Sequence, residues 1–599
     1  MKAKGGIAVL LTVVLSIAVC LQVIRSDYML RFYTNAAARE PQKQTASLAA
    51  SSRPASFLVL YEAGSSDSVG LKDNVVQTLE YMHENVAEAD AASPRALPDS
   101  SCSGVITTFE DLGKYTRWDS LLAYVKNGGR LLLAMRPLDS DALAGLQGAL
   151  GISKYRTLRD TKGLTLKTNT LIQCEGLHIT PDVASSNSLD VQLAPSAALM
   201  AVSDEKIPLM WKIALQKGVV MVYNGTNLSE KSSRGLLVGM ISQMFPSFLY
   251  PIINAKVGFI DDFPAPVPEG YNEELYREFG VTTNYFYKYI WLPDMMQSAK
   301  DYNLKYTGVL IEDYNKNTTP PFSTAAKNRD FILFANEVLH RGGEIGLHGY
   351  NHQSLAPEGF VTEDLGYTPW KTQSAMRLSL ETAIRYAASM LPNYRLQVYV
   401  PPSNILSPQG RQAVVAGMKD LKVIAGVYTA GAGESDAYVQ EYEVRDGVCE
   451  FPRVTSGYID DAYTYWSIYN AVTSVGVFSH FVHPDDVLDS QRNMGKNWEQ
   501  LYKGYNDILS AVQGRYGWLR PLTASEAAEE EKHFLELEPT ITYGKDEITV
   551  SCRNFYQGDS FLLRSGSASA GTNCKVRQID GGVYLVTPSS AQFTIRVGG

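Results

Sequence analysis

For 599 residues the chain has little cysteine and little histidine, six and eight residues respectively. No two cysteines are spaced as Cys-x-x-Cys, which excludes a structural zinc knuckle, and none has the neighbours of an activated nucleophile. No phosphate-cradling glycine loop and no internal repeat occurs. A basic excess is also missing. The net charge of -9, from 54 Lys and Arg against 63 Asp and Glu with the signs interspersed, provides no basic stripe for a phosphate backbone. Nucleic acid is therefore excluded as an expected partner. The composition that remains is globular, 45% hydrophobic and 20% charged. At roughly 100–200 residues per domain it has length for about three domains.

The one long apolar run, Gly5 to Ile24, follows Lys2 and Lys4 and has about the 20 residues that a helix needs to cross a hydrocarbon core. It reads as a signal peptide or a signal anchor. The run is long and no small-residue cleavage site follows it closely, which favours the anchor. Val19 stands where a lipoprotein signal before Cys20 would require a small residue. The expected layout is a transmembrane anchor over 1–26 and a stalk over 27–54. The chain would thus be a single-pass protein of the cell membrane with its catalytic part outside the cytoplasm.

From Phe57 onward, short apolar runs alternate with helical patterns: Phe57-Leu-Val-Leu-Tyr61, Gly104-Val-Ile-Thr-Thr108, Arg130-Leu-Leu-Leu-Ala134 and Gly218-Val-Val-Met-Val-Tyr223. This is the rhythm of an open parallel α/β sheet. The strand pattern over 55–250 resembles the class I glutamine amidotransferase-like fold, but without that family's cysteine nucleophile. The region is read as an accessory domain that contacts a polymer or a partner protein, such as a polysaccharide synthesis or export protein. From 531 to 599 the runs become short and alternating, as in Glu547-Ile-Thr-Val-Ser551, and predict a small accessory β-sandwich.

The chemistry lies between, over 251–530. Lys256-Val-Gly-Phe-Ile260 runs into Asp261-Asp262, Glu344-Ile-Gly-Leu347 runs into His348-Gly-Tyr-Asn-His352, and Val475-Gly-Val-Phe478 leads to His480-Phe-Val-His483. Chemistry gathers at the carboxyl ends of parallel strands. Imidazole and carboxylate ligands suit a first-row metal, and a catalytic site supplies three of them while leaving room for water. Asp262, His348 and His352 form such a set, leaving Asp261 and a later histidine to move protons. Each piece alone has an ordinary explanation: adjacent aspartates form turns and caps, and a late-strand histidine usually satisfies a core hydrogen bond. All three in order, each at a strand end, point to a shared site.

These motifs resemble those of the polysaccharide deacetylase family with NodB homology: Phe259-Ile260-Asp261-Asp262, then His348 to His352, then Phe481-Val482-His483-Pro484. The resemblance implies a distorted (β/α)7 barrel in which Asp261 is the general base and Asp262, His348 and His352 hold a divalent metal. Zinc is the expected ion, with cobalt, nickel or manganese as alternatives. His483 would be the general acid, with His480 as runner-up. The family's third motif, Arg-x-Pro-Tyr, is replaced by Val400-Pro401-Pro402-Ser403, so the arginine that orients the base is missing. Arg453, in Phe451-Pro452-Arg453, could supply it from a neighbouring strand. Trp466 and Tyr463 are candidate sugar platforms, and Asp313 a candidate contact to sugar hydroxyls or an amine.

The layout looks like the extended deacetylases of secreted amino-sugar exopolysaccharides such as Pel. The expected function is metal-dependent de-N-acetylation of a partly acetylated amino-sugar polysaccharide of a biofilm. Two alternatives stand beside it: a peptidoglycan or chitin-type deacetylase, and a carbohydrate-binding scaffold without turnover.

Overall fold

A computed structural model describes residues 2–24, 29–35, 43–44, 56–93, 97–98, 101–263, 267–360, 365–431 and 436–598. The stalk expected over 27–54 falls mostly outside these. The chain is mixed α/β and divides into two compact units, one of residues 1–40, 255–460 and 479–532, the other of 41–254, 461–478 and 533–599.

The membrane localisation is corrected by the structure. The N-terminal helix spans Lys2–Ile24, yet among the described residues no helix is long and apolar enough to cross a membrane.

The unit containing 41–254 holds a nine-stranded sheet. Its strands Val86–Asp90, Phe57–Tyr61, Gly104–Thr107, Arg130–Leu133 and Gly218–Tyr223 are parallel neighbours in that order. The apolar runs of the inner strands are buried along nearly their whole length, as expected of a parallel sheet covered on both faces. Ser65 caps the helix Ser66–Tyr81 by accepting from the Ser68 amide. The same unit holds two four-stranded antiparallel sheets. Leu249, Ile548, Val550, Phe561, Leu563, Phe593 and Ile595 share one core there. One of the sheets recruits Ser247–Ile252, which pairs with Ser560–Ser565.

The other unit is built on a curled sheet. Its strands Ala255–Ile260, Tyr306–Ile311, Glu344–Gly349, Val398–Tyr399 and Val423–Ile424 are parallel neighbours in sequence order. Each is buried throughout. Ala255–Ile260 also neighbours Val477–Val482. The segment 448–456 meets both ends of the row: Val423 and Ile424 pair with Cys449 and Glu450, while Thr455 and Ser456 pair with His480 and Phe481. The sheet thus curls back on itself.

Tyr306–Ile311, the strand between those that carry the aspartates and the first histidine, has no side chain at Gly308 because Phe263 lies there. A Cβ at Gly308 would stand 2.3 Å from the Phe263 ring. Gly308→Ala is expected to destabilise the protein by about 1–3 kcal/mol through overpacking, measured by thermal or denaturant unfolding. An unchanged midpoint would show that the ring can move aside without cost.

Candidate metal centre

Asp261 and Asp262 leave the end of Ala255–Ile260 as a tight turn in which Asp262 has φ 54°. Aspartate tolerates this left-handed conformation better than most residues. The Asp261 amide donates to the Val482 carbonyl at 3.0 Å, fixing the turn against the strand that leads to His483. His348 lies within Glu344–Gly349, and Gly349 (φ 128°) turns the chain so that His352, itself at φ 53°, comes back to the same place.

One carboxylate oxygen of Asp262 lies 3.5 Å from His348 Nε2 and 3.3 Å from His352 Nε2. A zinc ion with ligands at 2.0–2.1 Å would space tetrahedral donors about 3.4 Å apart. The buried Asp262, His348 and His352 group therefore could hold a metal ion. Two of its atoms, His348 Nε2 and Asp262 Oδ1, are buried without a hydrogen-bond partner. Leaving such atoms unmet costs roughly 1–3 kcal/mol each, which a metal would offset. The tautomer also fits: His348 Nδ1 is 2.8 Å from the Val400 carbonyl, so Nδ1 donates and Nε2 keeps its lone pair. Burial pushes the His348 pKa down to about 4 against the pull of Asp261 and Asp262, so the ring is neutral.

Asp261 is buried beside this group. The Arg453 guanidinium donates to its Oδ2 at 2.5 Å, while its Oδ1 is buried and unpartnered. Burial would raise its pKa, but Arg453, His348 and His483 outweigh that and hold it below the usual value. Arg453 is 1% exposed. It donates through Nε to the Gly426 carbonyl at 3.1 Å and lies 4.0 Å from the centroid of the Phe481 ring.

His483 Nε2 lies 3.8 Å from Asp261 Oδ2, and its Nδ1 lies 3.3 Å from Asp486 Oδ1. Burial lowers its pKa, but Asp486, then Asp261 and Asp262, outweigh this and raise it to about 9. Arg492 in turn holds Asp486 at 2.9 Å. His480 is placed differently. Its Nδ1 meets Thr455 Oγ1 and its Nε2 meets the Gly457 carbonyl, both at 2.8 Å, and burial lowers its pKa to about 4.

The sequence-derived residues Asp261, Asp262, His348, His352, Arg453 and His483 are thus brought together. Others are not part of this cluster. Trp466, 5% exposed, is buried in the helix Ala462–Val475 and has no open face for a sugar; Tyr463, on the same helix, is 46% exposed. Both belong to the other compact unit. Asp313 uses its carboxylate on the amide and side chain of Asn315, at 2.8 and 2.6 Å. Sequence reasoning missed Asp486, Tyr367, Ser403 and Asn404. Only Asp486 left a local signal, standing three residues after His483 where it can cap the turn that Pro484 begins.

The sequence profile of the family described as "Uncharacterised protein conserved in bacteria (DUF2194)" matches residues 13–193 and 175–585. No curated protein matches the chain. Solved structures similar to parts of it include the exo-β-1,4-mannosidase Op5Man5 from Opitutaceae bacterium strain TAV5, at 14% identity and TM-score 0.22, covering 31% of this chain and 32% of that one. A β-galactosidase from Bacillus circulans sp. alkalophilus matches at 11% identity and TM-score 0.24, covering 33% of each chain. A polyextremophilic β-galactosidase from the haloarchaeon Halorubrum lacusprofundi matches at 10% identity and TM-score 0.23, also covering 33% of each. The chain spans about a third of the length of these proteins.

Proposed function

The chain belongs to the DUF2194 family of bacterial proteins, and we propose that it is a metal-dependent deacetylase that removes N-acetyl groups from a partly acetylated amino-sugar polysaccharide. The sequence motifs that resemble those of polysaccharide deacetylases support this reading. The curled sheet, with 448–456 meeting both of its ends, agrees with the distorted (β/α)7 barrel that such motifs imply. The observation that carries the reading is the pairing of a metal-ligating group with two proton-handling ones: Asp262, His348 and His352 together, with Asp261 and His483 3.8 Å apart beside them.

Asp262, His348 and His352 would hold a divalent ion, with zinc the first candidate for this donor set and cobalt, nickel or manganese behind it. When bound, such an ion supplies Lewis acidity toward an amide carbonyl and lowers the pKa of water. The chain's own residues handle the protons. Asp261, kept ionised by Arg453, has Oδ1 unpartnered, and this oxygen takes a proton as water attacks the acetyl carbonyl. His483 is protonated at neutral pH, and its Nε2 donates to the amide nitrogen as the C–N bond breaks. Acetate and a free amine leave, and the proton on Asp261 then recharges His483. A glycosidase would need two carboxylates flanking the scissile bond at about 5 Å or more, whereas adjacent Asp261 and Asp262 divide between proton transfer and ligation.

The test is acetate release by the full chain from a panel of acetylated amino-sugar polymers, with chelator, with zinc restored, and with His348→Ala. Release that stops with chelator, returns with zinc and is absent in His348→Ala is the expected result. Polymer binding without release, indifferent to chelator and zinc, would replace the enzyme with a carbohydrate-binding scaffold.

A further inference from the structure

We propose that a two-residue turn, Ser403-Asn404, positions both halves of the site: Ser403 orients the His352 imidazole through Tyr367, and Asn404 orients Asp261 through Arg453. The Ser403 half rests only on the metal-ligating group; the Asn404 half rests on the deacetylase reading.

Both turn residues have left-handed backbones, Ser403 at φ 48° and Asn404 at φ 57°. Glycine adopts this conformation without a steric penalty, yet these positions carry side chains, and both are used. The turn is pinned from several sides. The Asn404 amide donates to the Pro401 carbonyl at 3.0 Å, the Asn404 carbonyl accepts from the Tyr438 amide at 2.6 Å, and the Ser354 hydroxyl donates to the Pro402 carbonyl at 2.9 Å.

On one side of the turn, Ser403 Oγ is hydrogen-bonded to the Tyr367 hydroxyl, which lies 3.4 Å from His352 Nδ1. His352 Nε2 faces Asp262, so the ligating lone pair belongs on Nε2 and the ring proton on Nδ1. The relay therefore runs from His352 Nδ1–H to the Tyr367 oxygen, and from the Tyr367 O–H to Ser403 Oγ. It does for His352 what the Val400 carbonyl does for His348. Partners of this kind fix the tautomer and orientation of a ligating imidazole.

On the other side, Asn404 Oδ1 accepts from Arg453 NH2 while Arg453 NH1 donates to Asp261. The guanidinium is also held through Nε at the Gly426 carbonyl. Without Asn404 it could pivot about that bond and lose its alignment with Asp261. Neither Tyr367, Ser403 nor Asn404 touches the reacting atoms; all three are positioning residues.

The experiment compares the full chain with Tyr367→Phe, Ser403→Gly, their double variant and Asn404→Ala. Zinc affinity is measured by competition with a chromophoric chelator, and kcat and KM by acetate release. Ser403→Gly keeps the left-handed backbone accessible while removing the hydroxymethyl side chain. Tyr367→Phe and Ser403→Gly are each expected to weaken zinc binding by about 10- to 100-fold. The double variant should be no weaker than the poorer single one, because both act along one path. Asn404→Ala is expected to leave zinc affinity unchanged and lower kcat by up to about 100-fold at constant KM. Parental zinc affinity in Tyr367→Phe would overturn the Ser403 half. An unchanged kcat in Asn404→Ala would overturn the other. A parent chain that binds no zinc would overturn the metal group itself. Zinc binding without acetate release would overturn the deacetylase reading and the Asn404 half with it, leaving the Ser403 half to stand on affinity alone.

Discussion

Asp261→Asn is expected to lower kcat for acetate release by about 10²- to 10⁴-fold while zinc still binds. The amide is close to the carboxylate in shape and can still accept from Arg453, but it cannot take a proton. The same change leaves the buried Arg453 guanidinium without its counter-charge. Removing one partner of a buried pair costs up to about 3–5 kcal/mol, so a lowered denaturation midpoint should accompany the lost rate. Two measurements separate these effects: zinc titration and unfolding on the same preparation. A folded, zinc-loaded Asp261→Asn chain with near-parental kcat would place the base elsewhere.

His483→Ala is the second large effect, again about 10²- to 10⁴-fold in kcat, and it carries a pH signature. With a folded pKa of about 9, His483 is protonated through neutral pH, and the protonated fraction falls as pH rises through about 9. The parent should therefore lose kcat on that basic limb, and His483→Ala should lack it. Asp486→Asn removes the strongest of the groups that raise this pKa and should move the limb to lower pH. Stability follows the same sign. A histidine whose folded pKa lies above its unfolded value of about 6.5 contributes stability fully below 6.5 and loses it as pH rises toward 9. Unfolding measured across pH 6 to 10 should show that loss in the parent and a smaller one in Asp486→Asn. A basic limb at the same pH in Asp486→Asn would remove Asp486 as its cause.

The Asp262, His348 and His352 group, which could hold a metal ion, was legible in the sequence because its residues are local to strand ends. Asp261 and Asp262 follow one apolar run, and His348 and His352 follow another, so the pattern is written in short segments. The supporting residues were not, since their contacts cross large separations: Arg453 reaches Asp261 over 192 positions, and Asn404 reaches Arg453 over 49. Arg453 could be named only as a substitute for an arginine missing from Val400-Pro401-Pro402-Ser403. Ser403, which ends that segment, and Asn404, which follows it, gave no sign that their side chains reach Tyr367 and Arg453. Trp466 shows a different limit, because composition does not distinguish an indole packed into a core from one offered to a sugar. The N-terminal run misled for a related reason: its length and hydropathy suggest a span, but the described helix does not meet the requirement for one. The strand Ser247–Ile252, which joins a sheet over 300 positions downstream, was equally invisible to local reading.

The segment 448–456 joins the ends of the curled sheet, and with Val477–Val482 it is synthesised after the row of strands from Ala255–Ile260 to Val423–Ile424. Asp262, His348 and His352 lie on or just beyond strands that emerge earlier and neighbour one another through Tyr306–Ile311. Arg453 and His483 arrive only with the late strands. On the proposed function, chain order therefore places the residues that would hold an ion ahead of those that would handle protons.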